Sequence, residues 1–104
     1  MAAPYNPPKK NEDFKIPIQL RDVANPNRVK VNPTIAAGDF KITKDGGALA
    51  NLTNLPTVSP AGSSWVVIEL TSTEMNADII GLQAIDQTEP PEWADWGMGI
   101  PTTQ

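Results

Sequence analysis

Apolar residues in this chain recur at every second position, in short runs, rather than at helical spacing. "FKIPIQL" puts Phe14, Ile16, Ile18 and Leu20 on one face of a strand. Pro17 inside that run removes a ladder donor, so this strand belongs at a sheet edge or beside a bulge. "WVVIEL" is the strongest strand signal, rich in β-branched residues. Val66, Ile68 and Leu70 share one of its faces; Trp65, Val67 and Glu69 share the other. "DIIGLQAID" repeats the pattern with Ile80, Leu82 and Ala84. "EWADWGMGI" sets Ala94, Trp96, Met98 and Ile100 against Trp93, Asp95, Gly97 and Gly99. In "RDVANPNRVKVNPT", Val23 caps the core, Asn25-Pro26-Asn27 turns the chain, and Val29 and Val31 make a short strand before Pro33.

The run "DFKITKDGGALANL" predicts a hairpin, and its register can be argued. A two-residue turn at Asp45-Gly46 would set Ile42 opposite Leu49. A three-residue turn, Asp45-Gly46-Gly47 with a glycine bulge, would set Ile42 opposite Ala50 and Phe40 opposite Leu52. The second register gathers the apolar residues on one buried face and is the one expected. In "TSTEMNAD", Thr71 and Glu74 have capping-box spacing, which predicts one helical turn with Met75 pointing inward. Glu74 and Asp78 read as part of that turn rather than as an acid–base or calcium pair, since calcium draws six or more oxygens, roughly.

Strands of this length, with turn signals at intervals of about eight to twelve residues, predict an all-β fold: a single immunoglobulin-like β-sandwich of about seven short strands. A chain of 104 residues supports one core. The expected division is an extended proline-rich arm over residues 1–13 and a β-sandwich domain over 14–104. Pro4, Pro7 and Pro8 favour extended backbone, and the arm has no apolar face of its own. As a free segment it is expected to be disordered; an ordered arm is either held by something outside the domain or folded back on its own domain.

Composition narrows the chemistry. The chain has neither Cys nor His. Thiolate nucleophiles, disulfides and the commonest general base are therefore missing, and neither a cofactor nor a metal site is expected. An enzyme is not expected. All eight basic residues lie within the first 44 positions, and the net charge is −4. Either a basic arm meets an acidic flank, or strands of the two halves interleave and the asymmetry averages out. Nucleic acid is a poor partner for an acidic domain. No apolar run is long enough to span a bilayer, at roughly 18 residues or more, so no membrane partner is expected. "MAAPYNPPKK" lacks the apolar stretch of a secretory signal, so folding in the cytoplasm of the producing cell is expected.

Residues 37–78, "AGDFKITKDGGALANLTNLPTVSPAGSSWVVIELTSTEMNAD", followed by the later "EWADWGMGI", resemble small proteins encoded among the structural genes of tailed bacteriophages. The resemblance is close over about half of the chain, and "WGMGIPTTQ" departs from the family's more regular final strand. It implies a virion structural component with an immunoglobulin-like β-sandwich, and it brings no catalytic residues. The implied role is a module attached to the capsid surface or to the neck or tail, for decoration, cementing or fibre attachment. The implied partners are the major capsid, portal, neck or tail proteins and further copies of itself, and the implied location is the virion. Residues expected to carry attachment are Tyr5, Pro7, Pro8, Lys9 and Lys10 in the arm, and Trp93 as an exposed aromatic. The alternative is a module that binds host-surface glycan through exposed Trp93 and Trp96, with aromatic faces as stacking platforms.

Overall fold

Why the alternating runs become a sandwich is visible in which face each strand buries. The computed structural model describes residues 7–103. The strands are β1 (Phe14–Gln19), β2 (Phe40–Lys44), β3 (Ala50–Asn51), β4 (Thr57–Val58), β5 (Trp65–Leu70), β6 (Ile79–Ala84) and β7 (Trp96–Pro101). They form two antiparallel sheets, one of three strands in the order β1-β5-β4 and one of four in the order β3-β2-β6-β7. The fold is an all-β sandwich with no helix among the described residues.

The core between the sheets is built from the predicted inward rows. Ile18 and Leu20 come from β1 and its end, Val66, Ile68 and Leu70 from β5, Ile80, Leu82 and Ala84 from β6, and Ile100 from β7. Burying each of the larger aliphatic side chains contributes about 1.5–3 kcal/mol. Phe14 and Ile16 pack against this core half-buried. Pro17 lies opposite Val67 on an outer strand, where a missing donor disturbs no ladder.

The hairpin takes its turn from one expected geometry and its register from the other. Gly47 N–H donates to Lys44 O at 2.9 Å, and Asp45 and Gly46 have φ of 52° and 79°. Positive φ at both central residues marks the two-residue type I′ turn. Ile42 nevertheless faces Ala50, because one extra residue enters the returning strand before pairing resumes. Asp45 holds the turn from below, its Oδ1 accepting the N–H groups of Asp78 and Ile79, each at 3.0 Å. Gly46→Ala is expected to cost roughly 1–2 kcal/mol, read as a lower urea midpoint, because a Cβ is unfavourable in the left-handed region.

Three local expectations are corrected. Val29 meets Arg21 in an isolated bridge rather than a strand, and Val31 is 60% exposed. Asp22 N–H donates to Arg28 O and Lys30 N–H to Leu20 O, closing a narrow loop that ends before Val31. Asn32, at φ 51°, then turns the chain away, its N–H donating to Ser63 O. Val23 is exposed rather than capping the core. The final strand starts at Trp96, not Glu92, because residues 92–94 pair with 21–23 instead: Val23 N–H donates to Glu92 O and Ala94 N–H to Arg21 O.

Candidate functional site

The residues expected to carry attachment separate into three groups. Tyr5 lies outside the described residues. Pro8, Lys9 and Lys10 lie against the end of the domain, and Pro7 is exposed ahead of them. Lys9 pairs in parallel with Thr103; Thr103 N–H donates to Pro8 O at 2.8 Å and Lys10 N–H to Thr103 O at 2.9 Å. Asn11 N–H reaches Met75 O at 3.1 Å, and Lys10 Nζ lies 3.1 Å from Asp78 Oδ1. From Pro8 onward the arm is therefore sewn to the domain, with Lys9 exposed.

Trp93 forms the third group, and its expected exposure is corrected. It is 1% exposed. Its ring sits 6.2 Å from that of Phe40, tilted by 44°, and its Nε1–H donates to Ala84 O at 3.3 Å. The bridge from Trp93 to Asp22 takes this residue out of the alternation of β7 and turns the indole inward. Trp96 is half-buried against the core. The exposed indole is Trp65, at 43%, on the outward face of β5 that its sequence parity already assigned.

A cleft of about 370 Å³ opens between the hairpin and the 71–77 turn and is lined by Ile42, Lys44, Ala50, Asn51, Thr73 and Glu74, among others. Its two charged groups, Glu74 and Lys44, are committed to structure. Glu74 Oε1 accepts Thr71 N–H and Oε2 accepts Thr53 N–H, both at 2.9 Å, while Thr71 Oγ1 accepts Glu74 N–H at 3.2 Å. The predicted capping box is thus formed, and Met75 is fully buried beneath it. Lys44 Nζ donates to Thr73 O at 3.1 Å across the mouth. Thr71→Ala is expected to cost about 1 kcal/mol, seen as a lower melting temperature, through loss of the cap.

Two further buried carboxylates were not legible from motif spacing. Asp39 Oδ2 accepts Ala36 N–H and Oδ1 accepts Gln87 N–H. Asp86 Oδ1 accepts Thr88 N–H and Oδ2 accepts Glu92 N–H. Each buried acid closes a loop by binding two backbone donors, which is loop-clamp chemistry rather than proton transfer. Among the described residues no group of three His, Cys, Asp or Glu is placed to hold a metal ion, and no buried side-chain polar atom lacks a partner.

The chain matches no protein-family model, and no curated protein or solved structure is significantly similar to it. Its surface chemistry has to be read from its own residues. The basic and acidic halves interleave, since β1 pairs with β5 and β2 with β6. Lys15 Nζ and Glu69 Oε1 stand 3.8 Å apart as one result. Charge does not divide the surface; its absence does. From Gly46 to Ile68 no residue is charged, and this stretch carries both β3 and β4, one outer strand of each sheet. Leu49 and Leu55 project from it, each about half exposed. A second hollow of about 190 Å³ lies beside Asn51, Leu52 and Leu55.

Proposed function

We propose that this chain is a bacteriophage virion structural protein, a small β-sandwich module held on the capsid surface, neck or tail by protein–protein contacts. The observation that carries the reading is the uncharged flank from Gly46 to Ile68, with its outer strands and exposed Leu49 and Leu55. Large apolar side chains exposed on an uncharged surface are a feature that protein–protein contact sites use. The phage-like segment 37–78 builds β2 to β5 and the capping-box turn, so the resemblance falls on the part that presents this flank.

The strand order supports the immunoglobulin-like part of the proposal. Taking β1 as strand B, the sheets read B-E-D and C′-C-F-G, the arrangement of that fold with its first strand left out. The glycan alternative has lost Trp93, which is inside the core. Attachment then works by avidity: each copy contributes a modest patch, and a symmetric particle multiplies it.

Leu49→Asp with Leu55→Asp tests the flank. Both side chains are half exposed, so the doubly substituted chain is expected to fold with unchanged circular dichroism. In particles assembled with it, its copy number by quantitative mass spectrometry is expected to fall at least tenfold. Undiminished incorporation would rule the flank out as the attachment surface.

A further inference from the structure

Four strands lie at sheet edges, and three of them are protected in ways that natural sheets use. β1 contains Lys15 and Pro17; β4 is two residues long, between Pro56 and Pro60; β3 is also two residues long. β7 differs. It is six residues long, with no charge and no proline before Pro101, and its free side is exposed at Gly97 and Gly99.

Ladder alternation fixes which groups point outward. Thr102 N–H donates to Asp78 O, on the side of β6. Thr103 turns the other way, its N–H and C=O both bonded to the arm. The alternation therefore directs the N–H and C=O of Gly97 and Gly99 away from β6. Among the described residues none pairs with this side of Gly97 or Gly99. The next rung from the arm would need the N–H groups of Pro8 and Pro101, which proline lacks. The arm's parallel pairing lacks both donors at that step, and among the described residues the glycine edge has no partner strand.

The geometry points to this edge as a strand-addition surface whose occupant is a second copy of the same chain, docked β7 to β7 and antiparallel about a two-fold axis. With Met98 opposite the second copy's Met98, Gly97 pairs with the second copy's Gly99 and the reverse. Every outward N–H and C=O of both glycines is then satisfied. A two-fold interface sets like residues close to one another, so a charged strand would oppose itself. Trp96–Pro101 carries no charge, although the chain as a whole is at −4. A charged partner peptide would find no ion here to pair with. At Gly99 a Cβ would meet nothing within 4 Å, so the domain's own packing does not demand glycine there. Across the axis, bare glycine lets two strands approach without side chains on the outer face. This goes beyond the virion reading and does not depend on it, because the pairing belongs to the purified chain.

Sedimentation equilibrium of the intact protein tests it. The mass is expected to rise with concentration from 11.2 kDa toward twice that value. Met98→Cys should give a covalent dimer on oxidation, since a non-hydrogen-bonded antiparallel pair places Cα atoms about 4.5 Å apart, within disulfide range. The chain has no other cysteine to confuse the product. Gly99→Pro removes an outward donor without touching the β6 ladder and should return the protein to monomer, with folding checked by tryptophan fluorescence. If that variant does not fold, the Met98→Cys cross-link decides alone. A monomer at every concentration overturns the inference, as does a dimer that Met98→Cys fails to cross-link or that a folded Gly99→Pro leaves intact.

Discussion

Trp93→Ala is expected to lower the free energy of unfolding by about 3–5 kcal/mol, the range for removing a large aromatic from a core. The indole is among the largest fully buried side chains, it packs on Phe40, and its N–H is bonded to Ala84 O. Domains of this kind hold only about 5–15 kcal/mol in total, so the variant stands near the limit of folding. In urea, with a slope of about 1–3 kcal/mol per molar, the midpoint should fall by more than about 1 M. An exposed tryptophan at a binding surface would leave the midpoint almost unmoved. The same experiment therefore decides between Trp93 as core and Trp93 as contact residue. Trp93→Phe should recover most of the loss, short of the hydrogen bond.

Asp39→Ala is the second large effect. Asp39 is 1% exposed, and its two carboxylate oxygens hold Ala36 N–H and Gln87 N–H at 2.9 and 3.0 Å. Hydrogen bonds to a charged group contribute about 1.5–3 kcal/mol each, and both donors would be left in a dry setting. A loss of about 3 kcal/mol follows, with faster amide exchange at Gln87 as the local signature. Asp39→Asn should fall between, because its amide nitrogen can only oppose one of the two donors. Asp95→Ala, on an exposed acid, should change stability by less than about 0.5 kcal/mol. If Asp39→Ala proved as mild as Asp95→Ala, the loop-clamp role would be wrong.

These two residues show where sequence reading succeeds and stops. β5 and β6 were legible whole, because β-branched residues at period two leave a single choice of buried face. The capping box at Thr71 and Glu74 was legible because its spacing states its own hydrogen bonds. Trp93 misled because the alternation of 92–100 is continuous on paper, whereas residues 92–94 pair with 21–23, a partner far away in sequence. Val31 failed for a related reason: two alternating valines are too few to outweigh a left-handed Asn32. Asp39 and Asp86 carry no spacing signal, since their partners are backbone N–H groups chosen by the fold. The hairpin register followed from the apolar face, while its turn followed from the preference of Asp45-Gly46 for positive φ.

Surface function was less legible than core. Interleaved strands dissolved the charge asymmetry, and the arm spends the backbone donors of Lys10 and Asn11 on the domain. The uncharged flank and the bare glycine edge come into view only once the strand order shows which strands lie outermost. The two proposals rest on these features, the flank as a contact toward other proteins and the edge as a contact toward another copy.

The proposed virion role is measured most directly by electron microscopy of purified phage particles assembled in the presence of this chain. A symmetric set of sandwich-shaped densities on head, neck or tail, with Leu49 and Leu55 turned toward the neighbouring protein, is the expected result. Particles of full structure that contain no copy of the chain would contradict it.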